Sequence, residues 1–216
     1  MSKPVIREPM RRNSRSNRAR ILAAARQELG RNPDVTLEEI ARAAGVVRRT
    51  LFGHFPGRAA LLDALAEEAS EALRGAVSRE PAPDTDEPPQ RALARFVLSI
   101  WPVGDRYRLL LALARQDLGT QRVSEIVAPA RDEATAILER GQRAGVFHDH
   151  LPAAVLSAAL EALTLSLLES VNTGTWDDDG TRTAVTTLLA AGVSEPAATA
   201  TVEGVAAEAR AEAAEG

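Results

Sequence analysis

The 216-residue chain has no cysteine, which excludes disulfides, thiol nucleophiles and cysteine-ligated zinc. Aromatic residues make up only 3%, so alanine and leucine must supply the core, a helical composition. Lysine is almost missing: Lys3 stands alone, and every other basic residue is arginine. Long apolar runs are lacking too. No uncharged stretch reaches 18 residues, and no apolar run follows the basic residues near the start. Neither a bilayer span nor a secretory signal is expected, and a cytoplasmic location is. Glycine-rich phosphate loops, nucleophile elbows and metalloprotease motifs are absent, so no enzymatic activity or cofactor is expected. His148-Asp149-His150 offers two imidazoles and a carboxylate without a third ligand at suitable spacing, and is read as polar loop rather than metal site.

What is present is an uneven charge. The net charge is -4, yet residues 1–60 hold 13 of the 26 basic residues and only 5 of the 30 acidic ones. A chain that is acidic overall and basic at one end points that end at nucleic acid, because cations that displace counterions from phosphate supply nonspecific affinity. Residues 36–55 sit in this basic part and read TLEEIARAAGVVRRTLFGHF. Thr36 and Glu39 have the spacing of a capping box, which starts a helix at Leu37. Leu37, Ile40, Ala41 and Ala44 recur at i, i+3, i+4 and i+7 and give it one apolar face. Gly45 closes it in a left-handed turn. In the helix that follows, Leu51 and Phe55 look inward, while Arg48, Arg49, Phe52 and Gly53 lie opposite. Two helices about a glycine turn make a helix-turn-helix, whose second helix reads the major groove.

At Ala44-Gly45-Val46 and Thr50-Leu51-Phe52-Gly53-His54-Phe55 the chain resembles the tetracycline-repressor (TetR) family of DNA-binding regulators. The resemblance extends back through residues 18–30 and on to Arg58, about 45 residues in all. It departs at Val47, where a capping Ser or Thr is usual; at Phe52, where a tyrosine is usual; and at Arg58, where a lysine is. The resemblance implies an all-α protein of about nine helices. It comprises an N-terminal three-helix helix-turn-helix domain at 16–60 and a helical effector-binding and dimerisation domain at 61–193. A flexible basic arm at 1–15 precedes them, and an Ala/Glu-rich frayed tail at 194–216 follows. Val47, Arg48, Arg49, Thr50, Phe52 and Gly53 are expected at the reading surface. Thr36, His54, Arg58 and the arm residues Arg11, Arg12 and Arg15 are expected on the DNA backbone.

The rest of the chain reads as helices. The first runs from Asn17 to Gly30, and a fourth from about Arg58 to Val77. Residues 78–89, rich in proline and acid, form a loop. Three helices then follow: one ended by Pro102, one from Asp105 to Leu118, and one entered near Pro129. Helix 152–172 is apolar almost all round and is therefore buried on two sides, the second by a partner subunit. A final helix follows Asp177–Asp179, whose carboxylates suit a helix start. By resemblance, Phe96, Trp101, Tyr107 and Phe147 are candidates to line an effector pocket. Leu156, Leu160, Leu163, Leu167, Val185, Leu188 and Leu189 are candidates for the interface of a homodimer. The expected function is a repressor on a palindromic operator in double-stranded DNA, released by a small-molecule effector. The alternatives are control by a protein partner or corepressor, and an all-helical enzyme with an accessory DNA-binding domain.

Overall fold

The computed structural model describes residues 8–78 and 87–215, with backbone alone for residues 8–12, 213 and 215. Nine α-helices and no strand occur among the described residues: α1 Glu8–Arg31, α2 Leu37–Ala43, α3 Arg48–His54, α4 Arg58–Val77, α5 Pro89–Asp117, α6 Thr120–Arg143, α7 Ala153–Asn172, α8 Thr181–Ala190 and α9 Glu195–Glu215. They divide into two compact units. One comprises Met1–Glu68 with Leu109–Val123, the other Ala69–Arg108 with Ser124–Gly216. The first change of unit falls inside α4, between Glu68 and Ala69, whereas the expected boundary is 60/61. The return of residues 109–123 to the first unit is new, since a discontinuous unit leaves no mark in composition.

In the first unit α1, α2 and α3 pack on one another around Ile21, Ala25, Ile40, Leu51 and Phe55, all at most 2% exposed. The helices are tied by arginines. Arg26 of α1 pairs with Glu68 of α4, and Arg122 of α6 pairs with Asp63 at 2.8 Å. In the second unit Phe96, Ile137, Leu138, Phe147, Leu156, Leu160, Leu188 and Val202 form one apolar cluster. The acidic start of α8 acts as expected. Asp178 accepts from the amides of Arg182 and Thr183, and Asp179 accepts from the Thr181 amide at 3.0 Å. The Thr181 hydroxyl, donating at 2.6 Å, and then its amide hold the Asp179 carboxyl below its ordinary range.

Several expectations are corrected. The first helix begins at Glu8, not Asn17, so much of the supposed arm is helical; Pro9 is tolerated because a helix's first turn needs no amide donor there. Residues 1–7 and the loop positions 79–86 lie outside the described residues. The three helices expected beyond the loop are two, because α5 runs through Pro102 and α6 through Pro129. An internal proline costs about 3 kcal/mol. In α5 that cost is offset by one continuous buried stripe, Leu93, Phe96, Val97, Trp101, Tyr107, Leu111 and Ala114, while Pro102 faces outward. The tail expected to fray is helix α9, packed on α8 through Ala198, Val202 and Val205, which are 4% exposed or less. Three small apolar residues at i, i+4 and i+7 were a short stripe hidden among alanines. Finally, α7 is long and apolar enough to cross a membrane by length and composition. Yet Glu161 in its middle is paired with Arg131 of α6 at 2.6 Å, and Ser157 donates to the Arg131 carbonyl at 3.2 Å. The Glu161 hydrogen bond raises the Arg131 pKa further.

The turn after α2 is the most constrained point of the first unit. Gly45 has φ +64°, and a Cβ there would lie 2.8 Å from Nη2 of Arg20. Gly45→Ala is therefore expected to lower the unfolding free energy by about 1–2 kcal/mol, the cost of a left-handed alanine. Urea denaturation measures this, and an unchanged midpoint would show that the turn carries no such constraint.

Candidate nucleic-acid interface

The sequence dictates the local geometry. Thr36 Oγ1 accepts from the Glu39 amide at 3.2 Å, and the Glu39 carboxylate accepts from the Thr36 amide at 2.8 Å, so the capping box is formed. These bonds keep the Glu39 carboxyl below its usual range, first through the Thr36 amide and then through its hydroxyl. The box is therefore intact at neutral pH. At the other end of α2 the Gly45 amide donates to the Arg42 carbonyl and the Val46 amide to the Ala41 carbonyl, which is a Schellman motif. Arg20 then reaches across from α1. Its Nη2 donates to the carbonyls of Ala44 at 2.6 Å and Gly45 at 2.8 Å. The turn is thus fixed from inside by hydrogen bonds and from outside by a guanidinium, which sets the direction in which α3 leaves.

Helix α3 starts at Val47 without a side-chain cap. Leu51 is fully buried and Phe55 2% exposed, and the Arg18 guanidinium lies 5.3 Å from the Phe55 ring. The opposite side is open: Val47, Arg48, Arg49 and Gly53 are exposed, while Thr50, Phe52 and His54 are half-buried. Val47 is 69% exposed, which is unusual for a large apolar side chain and fits contact with a thymine methyl. The Arg48 guanidinium stands 5.1 Å from the Phe52 ring and 3.0 Å, through Nε, from Glu38 of α2. The structure therefore brings six expected reading residues, Val47, Arg48, Arg49, Thr50, Phe52 and Gly53, onto one short helix and its start.

The expected backbone contacts fare less uniformly. Arg15 is exposed on α1, and the side chains of Arg11 and Arg12 lie outside the described residues. The Thr36 hydroxyl is engaged, donating to Glu39 at 2.8 Å. Arg58 is engaged inside the first unit. Its guanidinium donates to the carbonyls of Val35 at 3.1 Å and Pro33 and pairs with Asp117 of α5 at 3.4 Å. It braces the segment before α2 instead of reaching outward. Sequence reasoning also missed Arg20 and Glu38. Arg20 meets its partners 24 and 25 residues away, and no local spacing announces such a contact.

In the second unit Phe96, Trp101, Tyr107 and Phe147 are all 3% exposed. Phe96 and Phe147 share the apolar cluster, with Phe147 stacked so closely on Gly141 that a Cβ there would meet its ring at 2.0 Å. Trp101 Nε1 donates to the Asp178 carbonyl at 3.1 Å, and its ring meets Trp176 edge-on at 6.2 Å. These aromatics act as core and as an anchor for the segment before α8. Of the expected interface, Leu156, Leu160 and Leu188 are buried in the second unit's apolar cluster. Leu163, Leu167 and Val185 are half-buried, and Leu189 is exposed. The outward face of α7 is instead Val155, Ala158, Ala159 and Ala162. His148 and His150 stack at 3.6 Å, and His148 Nε2 faces the Ala190 carbonyl at 3.0 Å, fastening the segment before α7 to α8. No group of three or more metal-ligating side chains occurs among the described residues.

Gly53 is open on the exposed side of α3. A Cβ at this position would meet nothing within 4 Å, so nothing inside the protein requires glycine. Gly53→Ala is expected to raise stability by about 0.5–1 kcal/mol and to weaken duplex DNA binding roughly tenfold or more, the loss of about one base contact. Thermal unfolding and fluorescence anisotropy read the two effects. A variant that keeps its affinity would mean that no nucleic acid approaches this backbone.

Comparison with known proteins meets this geometry at the same residues. The model of the bacterial regulatory proteins of the tetR family matches residues 21–65. The HTH-type transcriptional repressor LfrR of Mycolicibacterium smegmatis is 38% identical over 104 residues, which are 48% of this chain and 52% of that protein. The chain thus matches about half the length of this curated relative. The crystal structure of the TetR-like regulator LfrR from Mycobacterium smegmatis in complex with proflavine superposes with a TM-score of 0.61 at 25% identity, over 81% of this chain and 93% of that one. A tetR-family regulatory protein from Rhodococcus RHA1 superposes with a TM-score of 0.68 at 20% identity, over 82% of this chain and 98% of that one, a likeness of fold. Residues 21–65 thus match the model of the bacterial regulatory proteins of the tetR family, and some four-fifths of the chain shares the fold of a tetR-family protein.

Proposed function

We propose that this protein is a dimeric, cytoplasmic, DNA-binding transcriptional regulator, a repressor released by a small-molecule effector held in its second unit. The observation that carries the reading is helix α3: a short helix, anchored by Leu51 and Phe55, that presents Arg48, Arg49 and an open Gly53 outward from the basic part of an acidic chain. Arginine forks and a backbone free of side chain suit the major groove. The relative described as a transcriptional repressor supports the sign of the effect, and its complex with proflavine supports an organic effector. Such an effector shifts DNA affinity only by binding the DNA-incompetent arrangement more tightly than the competent one.

A dimer fits the second unit. The outward face of α7, with Val155 51% exposed, and Leu189 of α8, 40% exposed, leave apolar surface that a second copy would cover. Twofold symmetry would present two α3 helices to two half-sites. Ala159→Arg, an exposed position, is expected to give a folded monomer by light scattering; a dimer that persists would place the interface elsewhere.

The proposed function is tested by selection from sheared genomic DNA at physiological salt. Wild-type protein is expected to enrich one or a few palindromic sites. The double variant Arg48→Ala, Arg49→Ala is expected to enrich none while remaining dimeric. Diffuse, salt-sensitive recovery by the wild type would overturn sequence-specific regulation, and loss of the dimer in the double variant would overturn the division of labour between the units.

A further inference from the structure

Arg48 is the first residue of α3, and its charge is not free. Glu38, the second residue of α2, places Oε1 3.0 Å from Arg48 Nε, with the two side chains 44% and 69% exposed. The Phe52 ring, one turn along α3, lies 5.1 Å from the guanidinium carbon. Arg48 therefore has a carboxylate beside its Nε and a ring beside its guanidinium. The other acid of the α2 start, Glu39, is taken up by Thr36, so Glu38 is the carboxylate that faces the reading helix.

We propose that Glu38 is a specificity-determining residue: by pairing with Arg48 it withholds that charge from phosphate while leaving the outer fork of the guanidinium to read a base. The inference rests on the DNA-binding reading above. The two uses of an arginine draw on different properties. Binding to phosphate anywhere on a duplex comes from net charge and the counterions it displaces. Reading guanine needs two parallel N–H groups aimed at O6 and N7, which is a matter of direction. A paired guanidinium brings no net charge to the surface, so its phosphate affinity falls. Its fork remains, and the carboxylate and the ring fix the plane in which it points. An exposed pair of this kind adds little to stability, so replacing Glu38 tests recognition and not folding.

The test uses the full chain and a pool of duplexes with a randomised centre. Affinity for the unselected pool is measured as a function of salt, and enrichment is measured after selection, for wild type, Glu38→Gln, Arg48→Ala and the double variant. Glu38→Gln is expected to bind the unselected pool about 3- to 10-fold more tightly, with a salt slope steeper by about one counterion, and to enrich its preferred sequence less. In the Arg48→Ala background the same substitution is expected to change neither quantity. An equal gain in both backgrounds would make Glu38 a plain repulsive charge and overturn the proposal, as would weaker binding to both pools by Glu38→Gln. A wild type that enriches no sequence sinks the DNA-binding reading itself. A wild type that enriches one, with Glu38→Gln matching it in slope and enrichment, sinks only the role of Glu38.

Discussion

The direction of α3 depends on a single turn, and that turn depends on a guanidinium brought from another helix. Arg20 donates to the carbonyls of Ala44 and Gly45 at the point where the carbonyls of α2 leave their helix and attract positive charge. Gly45 is required twice over: by φ +64°, and because a Cβ would occupy the space of the Arg20 nitrogen that makes the clamp. With the turn fixed, Leu51 and Phe55 both reach the core, and everything on the far side of α3 is turned outward as a set. A different exit angle would bury Arg48 or expose Phe55, each at a cost the small first unit could not offset.

Basic charge alone therefore overstates the surface available to DNA. Of the arginines of the first unit, Arg20 and Arg58 are spent on backbone carbonyls, and Arg26 and Arg122 on carboxylates of α4. Their work is structural, in a unit with few aromatics, where charged hydrogen bonds between helices replace bulk. Arg15 and Arg49 are exposed. Arg48 stands between these groups, exposed but paired. An arginine is suited to such mixed duty because its rigid fork can serve one partner on one edge and another at the end, which a lysine cannot do.

The sequence was legible where interactions are local and opaque where they are not. The capping box, the closing turn of α2, the inward pair Leu51 and Phe55, and the acidic start of α8 all act within five residues, and each stands where its spacing indicated. Pro102 and Pro129 misled because a proline's local cost is visible in sequence, while the burial on both sides that outweighs it is not. Helix 153–172 shows the same limit from another side. Its excess apolar surface announced two buried faces, but only the packing reveals that Leu156 and Leu160 serve the protomer and that Val155, Ala158 and Ala159 are left outward. Arg58 had the right residue type for phosphate, and its real partners lie on a segment 23 residues before it and a helix 59 residues after it.

The two compact units share three helices. The chain passes between them inside α4, at Glu68–Ala69, inside α5, at Arg108–Leu109, and inside α6, at Val123–Ser124. No crossing falls in a loop. Each of these crossings therefore lies within a helical hydrogen-bond ladder. Arg58, at the start of α4, holds Asp117 at the end of α5 and also the carbonyls leading into α2. The end of α5 and the segment leading into α2 are thereby held by one guanidinium, so the geometry of the helix-turn-helix approach depends on where α5 ends.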